Sequence, residues 1–183
     1  MKSAALLLAG WGTWTLSEYV LHRWVMHGRN GVLSRPHRQH HAQPESVDGT
    51  DTLAARARVV LVLASTGLLG WQVASGGGLT FLVAWAAGYI SYEVFHWRSH
   101  ENEPLPLIRH YELWLRRRHL HHHFSDVRAN YGVTVDLWDR LFGTFEKPSR
   151  LRVPLRLAPR WLMDDVGEVR AEYRVDYELA GGS

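Results

Sequence analysis

The chain has 183 residues, no cysteine and a formal net charge of +3, which fits one domain of ordinary size and excludes disulfides and thiolate metal sites. Its basic charge is almost all arginine, with Lys2 and Lys147 the only lysines, and no helix-turn-helix, zinc-finger or base-stacking pattern accompanies it, so nucleic acid is not an expected partner. Hydrophobic residues make up an ordinary 46%, but they gather into blocks in the first half of the chain, as in a small membrane protein.

Residues 4–21, 59–74 and 79–95 form three apolar blocks, each near the minimum of roughly 17 to 20 residues for a membrane-spanning helix. Lys2 ahead of the first resembles the start of a signal peptide. That block lacks a small-x-small cleavage site, however, and runs unbroken into SEYVLHRWVMHG, so it is expected to remain in the protein. The second and third blocks are joined by SGGG at residues 75–78, a charge-free tight hairpin. Arg23, Arg29, Arg35, Arg38, Arg56 and Arg58 lie between blocks one and two. Arg98, Arg109 and the run Arg116, Arg117 and Arg118 follow block three, and the hairpin has none. The positive-inside rule therefore puts the loop after block one and everything after residue 96 in the cytoplasm, with the inner membrane of a bacterium as the expected location.

Beyond the break at ENEPLP, residues 105–124 read as a helix near the membrane surface, held there by Arg116, Arg117 and Arg118. Residues 130–146 begin with a turn at Asn130, Tyr131 and Gly132. They continue as an amphipathic segment whose Trp138, Leu141 and Phe142 are expected in the core of a cytosolic cap. The tail from Lys147, broken by Pro148, Pro154 and Pro159, reads as peripheral. The expected fold is an all-α integral membrane protein with three to four membrane helices. Residues 1–146 would form the membrane domain with its cytosolic cap, and residues 147–183 a peripheral tail.

Twelve histidines occupy four clusters, with His110 standing alone. His96 and His100 share a helix face, as do His119, His122 and His123, and also His37, His40 and His41 if that segment is helical. His22 and His27 diverge by about 140° on a straight α-helix, so they converge only where the helix ends or unwinds, before Gly28. His121 and His110 are out of phase with His119. Ten imidazoles exceed the four ligands of a tetrahedral structural zinc site and suit two metals with about five nitrogens each. All four clusters fall on the cytoplasmic side, as one site requires.

Glu18 lies four residues before His22 and Glu93 three before His96, so each shares a face with a histidine. Such carboxylates either orient imidazole N–H groups or pair with arginine. Asp136 and Asp139 are further candidates of the same kind. Trp11, Trp14, Trp85, Trp97, Tyr89 and Tyr92 either line an apolar channel or serve as interfacial belt and helix packing.

With these residues in view, residues 15–146 resemble the fatty acid hydroxylase and sterol desaturase superfamily of membrane non-haem di-iron enzymes. The resemblance rests on H-x4-H at His22 and His27, H-x2-H-H at His37, His40 and His41, H-x3-H at His96 and His100, and H-x2-H-H at His119, His122 and His123. EYVLHRWVMHG and NYGVTVDLWDRLFGT carry it further. The length is similar to that of bacterial beta-carotene hydroxylases, but WDRLFGT brings the chain closer to the fatty acid hydroxylase branch. The resemblance implies two iron ions held by these ten histidines, with zinc as a substitute in purified protein. It also implies O2 as cosubstrate, a membrane lipid as substrate, and an external electron donor such as a ferredoxin or a cytochrome b5-type protein. The expected reaction is hydroxylation of an unactivated C–H bond of an acyl chain. A carotenoid or sterol hydroxylase or desaturase would use the same site, and a non-enzymatic membrane metal-binding protein is the remaining alternative.

Overall fold

A computed structural model describes residues 2–29, 33–44, 60, 64, 67–68, 70–72 and 77–181. The chain packs as two compact units: Met1–Ala42 with Ser46–Tyr92, and Gln43–Glu45 with Glu93–Ser183.

In the first unit the first apolar block forms α1 (Lys2–Val20), which passes directly into a π-helical turn, Leu21–Met26. The segment with three histidines forms α2 (Ser34–Ala42), with Pro36 tolerated in its first turn. The third block forms α3 (Gly78–Glu101), whose last turns belong to the second unit. Two glycines let α1 and α3 approach closely. A Cβ at Gly10 would fall on the Phe81 carbonyl, and one at Gly88 on the Trp14 ring. Trp14, Phe81 and Trp85 fill the contact, with Tyr89 and Tyr92 packed on it, and Trp14 meets Trp85 edge-on at 5.4 Å. On α3, Leu79, Val83, Ala87, Ile90, Val94 and Trp97 instead form an exposed, wholly apolar stripe at spacings of three and four. Trp11 is also exposed, so the six aromatics divide between a packed cluster of four and two surface indoles.

In the second unit a 3₁₀ turn, Pro106–Ile108, leads into α4 (Arg109–Phe124), and a short α5 (Leu137–Leu141) follows. Two short strands, β1 (Leu151–Pro154) and β2 (Tyr177–Ala180), pair in parallel with Leu151 opposite Tyr177. The core consists of Leu120 from α4 with Leu151, Val153, Ala158, Trp161, Leu162, Val169, Tyr173 and Tyr177.

Four expectations are corrected. The fold is mostly helical rather than all-α, because the tail adds the β1–β2 pair. The tail is not peripheral: every member of that core except Leu120 comes from it, so no break in packing occurs at residues 146 and 147. Leu141 and Phe142 are 66% and 44% exposed, and Phe142 stacks on Trp138 at 6.4 Å instead of entering the core. The five-residue α5 is too short to bury one face and hold both side chains inside. Finally, Arg116 and Arg118 are fully buried. Their long side chains reach carboxylates and carbonyls within the second unit instead of a membrane surface.

Of the three expected spans, α3 is the described helix long and apolar enough to cross a membrane by length and composition. Block two lies largely outside the described residues.

Candidate metal centre

His22 and His27 meet because α1 changes pitch. In the π-helical turn the His27 N–H donates to the His22 carbonyl at 3.2 Å, an i→i+5 bond that stacks residues five apart on one face. Their rings come to 5.1 Å. On α2, His37 and His41 share a face at i and i+4. The Nε2 atom of His37 lies 3.1 Å from that of His22, 2.9 Å from that of His27 and 3.0 Å from that of His41.

One imidazole nitrogen carries either a proton or a lone pair, so three such approaches cannot all be hydrogen bonds. They do match lone pairs converging on a common centre. Nitrogens at about 2.1 Å from one ion lie about 3.0 Å apart when about 90° separates them, against about 3.4 Å at the tetrahedral angle. The observed separations belong to the first class, which suits five- or six-coordination. His40 points elsewhere on α2, its ring 6.2 Å from His37 and 6.1 Å from His41.

The second unit repeats the arrangement with two α-helical i, i+4 pairs. His96 and His100 come from the end of α3, and His119 and His123 from α4. His100 and His119 approach through Nε2 at 2.9 Å, and the rings of His96 and His119 lie 4.8 Å apart, those of His100 and His123 4.7 Å, and those of His119 and His123 4.4 Å. Within each group of four, every histidine offers a ring nitrogen within 4.8 Å of those of the others. His22, His100, His119 and His123 are buried. Burial pushes His40 down to about 4 and, with the neighbouring imidazoles, His41 to about 3; His37 and His27 shift the same way. The neutral imidazole favoured by burial is also the form that ligates a metal. The donor sets therefore fit nitrogen-bound iron, zinc, copper or nickel.

His122 and His121 are oriented by a loop. His122 Nδ1 donates to the Ala129 carbonyl at 2.8 Å. A carbonyl only accepts, so the proton sits on Nδ1 and the lone pair on Nε2. His121 is fixed the other way. Glu146 N–H donates to Asn130 Oδ1, which leaves the Asn130 amide nitrogen to donate to His121 Nδ1 at 3.1 Å. His121 Nε2 then faces Glu146. Asn130 has φ +55°, a left-handed conformation that asparagine tolerates better than most residues. His110 is exposed.

Glu18 is buried on α1 and Glu93 half-buried on α3. Asp136 pairs with Arg140 at 2.7 Å. Asp139 is fully buried, and its contacts are with loop amides, Thr144 and Arg118. Sequence reasoning did not single out Glu112, which accepts from Arg98 at 2.8 Å and from Arg116, and also from the Leu105 N–H at 2.8 Å. Its i, i+4 spacing to Arg116 was the available signal. This network joins the His96/His100 end of α3 to the helix bearing His119 and His123.

The fatty acid hydroxylase family model matches residues 7–144. This chain belongs to that family. It is 32% identical over 140 residues to a dihydroceramide fatty acyl 2-hydroxylase of Arabidopsis thaliana, covering 72% of this chain and 56% of that protein. With the fatty acid 2-hydroxylase of Homo sapiens it shares 29% identity over 156 residues, covering 78% of this chain and 40% of that one. A solved structure of full-length Scs7p, in which only the hydroxylase domain is visible, superposes with a TM-score of 0.62 at 25% identity, covering 80% of this chain and 57% of that one. The chain thus spans roughly half the length of these relatives.

Proposed function

We propose that this member of the fatty acid hydroxylase family is a membrane di-iron oxygenase that hydroxylates the acyl chain of a membrane lipid, at the carbon next to the carbonyl. The observation that carries the reading is the pair of converging four-histidine groups, half-buried to buried, in a chain of this family. The relatives' names supply the acyl substrate and the 2-position, and favour an acyl chain over a carotenoid or sterol. His22, His27, His37 and His41 hold one iron and His96, His100, His119 and His123 the other. His40 and His122 supply the two remaining nitrogens. Iron in such a site supplies the O2 activation that an unactivated C–H bond requires, with two electrons from a separate ferredoxin or cytochrome b5-type protein.

The protein's own contribution is to favour the neutral form of His27, His37, His40 and His41 by burial and to shield His22, His100, His119, His122 and His123 from water. The Ala129 carbonyl holds a proton on His122 Nδ1, so that Nε2 ligates. The apolar stripe of α3 faces lipid, and the arginines between blocks one and two favour a cytoplasmic metal site in a bacterial inner membrane.

The test is lipid profiling by mass spectrometry of cells carrying the wild-type chain or His96→Ala. Wild type is expected to add one oxygen to acyl chains, and His96→Ala to lose both that product and part of the bound iron. A product lacking two hydrogens would redirect the reading to desaturation. Undiminished hydroxylation by His96→Ala would refute it.

A further inference from the structure

One peptide group orients His122. The Ala129 carbonyl and the Asn130 N–H belong to the same planar, trans unit and point in opposite directions. The carbonyl accepts from His122 Nδ1, while the N–H donates to the Thr144 carbonyl at 2.9 Å. Rotating that plane would break both bonds together. Asp139 fixes what lies around it. Its backbone carbonyl accepts from the Thr144 N–H and its Oδ1 from the Thr144 hydroxyl, each at 2.8 Å. The same carboxylate takes the Tyr131 and Gly132 amides at 2.8 Å each, immediately after the peptide that faces His122. Gly132 admits this approach because a Cβ there would collide with the Val135 carbonyl and crowd Asp139. Arg118, one turn before His122 on α4, donates to the Gly132 carbonyl at 2.7 Å and to Asp139 at 3.3 Å, tying the loop to the helix that carries the histidine.

We propose that Asp139 is a positioning residue of the metal centre: by clamping Thr144 and the Tyr131 and Gly132 amides, it aims the Ala129 carbonyl at His122 and presents His122 Nε2 to the metal. It acts through the backbone and touches no imidazole itself. The inference rests on the metal reading above. It places in the WDRLFGT segment a carboxylate that serves a histidine fifteen or more positions upstream.

The test titrates the full, metal-free protein in detergent with cobalt(II) and follows the visible ligand-field spectrum at each binding step. Asp139→Asn is expected to weaken one of two cobalt sites by about tenfold to a hundredfold and leave the other unchanged. His122→Ala should weaken the same site, and Asp139→Asn should add nothing in the His122→Ala background. Thr144→Val, which removes a single bond to the carboxylate, should shift that site by less; if Asp139→Asn does not fold, the same comparison made with Thr144→Val decides. Losses that add, or fall equally on both sites, overturn the proposal and make Asp139 a residue of general folding. Wild-type titration by Asp139→Asn beside a weakened His122→Ala overturns it too. A His122→Ala chain that titrates as wild type refutes the ligand role of His122 itself, and the positioning role with it.

Discussion

Replacing Glu112 with glutamine keeps the shape of a buried group and removes the charge that two arginines face. Glu112 and Arg116 are 1% and 0% exposed and Arg98 13%, so solvent cannot replace the lost carboxylate. Arg116 would retain its bond to the Asn102 carbonyl at 2.6 Å and its position over the Trp161 ring at 4.7 Å. Neither supplies a counter-charge. Breaking a buried pair from one side costs about 3 to 5 kcal/mol, a large part of the roughly 5 to 15 kcal/mol that stabilises a typical domain. For a chain of this size that corresponds to a fall in Tm of about 6 to 20 °C.

The assay is thermal unfolding of the detergent-solubilised protein followed by circular dichroism, with Glu172→Gln as the control. The Arg109–Glu172 pair has similar length, 2.7 Å, but is 37% and 53% exposed, so its loss should cost at most about 1 kcal/mol. The double substitution Glu112→Leu with Arg116→Met should recover part of the stability, because it removes the desolvation cost of the two fully buried charges and leaves Arg98, 13% exposed, with its bond to the Glu103 carbonyl at 2.6 Å. If Glu112→Gln unfolds within a degree or two of Glu172→Gln, the network does not hold the two helices together as argued.

The acid limb of stability should depend on the same carboxylate. Burial alone would raise Glu112, but the Leu105 amide, Arg116 and Arg98 outweigh it and hold the group below its ordinary value of 4.5. The unfolded chain then binds more protons in that range, so the stabilisation is present above 4.5 and is lost as pH falls through the lower folded value; a pH series of unfolding midpoints should show a shallower acid-side slope in Glu112→Gln. Trp161→Ala should cost about 3 to 5 kcal/mol, measured by chemical unfolding, because it empties the centre of the second unit's core and removes the indole bond to the Ser99 carbonyl at 2.9 Å; a peripheral tail would leave stability unchanged. Gly88→Val should push α1 off α3 by setting a side chain against Trp14, at a cost of about 1 to 3 kcal/mol, and a fully tolerated valine would refute the close packing. Asn130→Ala should lose about 1 to 2 kcal/mol from the left-handed backbone alone, with Asn130→Gly recovering that part but not the bonds to His121 and Glu146.

Spacing alone was enough to read the i, i+4 histidine pairs of α2, α3 and α4, because an α-helix has one period and faces follow from counting; His40, counted on the His37 face at i, i+3, points elsewhere instead. Spacing also exposed the anomaly of His22 and His27, five apart, and required a change of pitch there; the π-helical turn supplies it. Block boundaries were legible for the same reason, as apolar runs and their Gly- and Pro-rich breaks are local signals. The burial of Arg116 and Arg118 was not legible. A run of arginines reads as a solvated or membrane-facing charge until Glu112, Asp139 and the loop carbonyls are brought beside it, and those partners lie four to twenty-one positions away. The tail was misread on similar grounds, since Leu151, Trp161 and Tyr177 show no common period and become one core only when β1 and β2 pair in parallel around α4. Local chemistry named the histidines as candidate ligands. Only the tertiary structure decided which carbonyl, amide and carboxylate hold His121 and His122 in opposite orientations, because hydrogen-bond partners distant in sequence are set by folding and not by helical period.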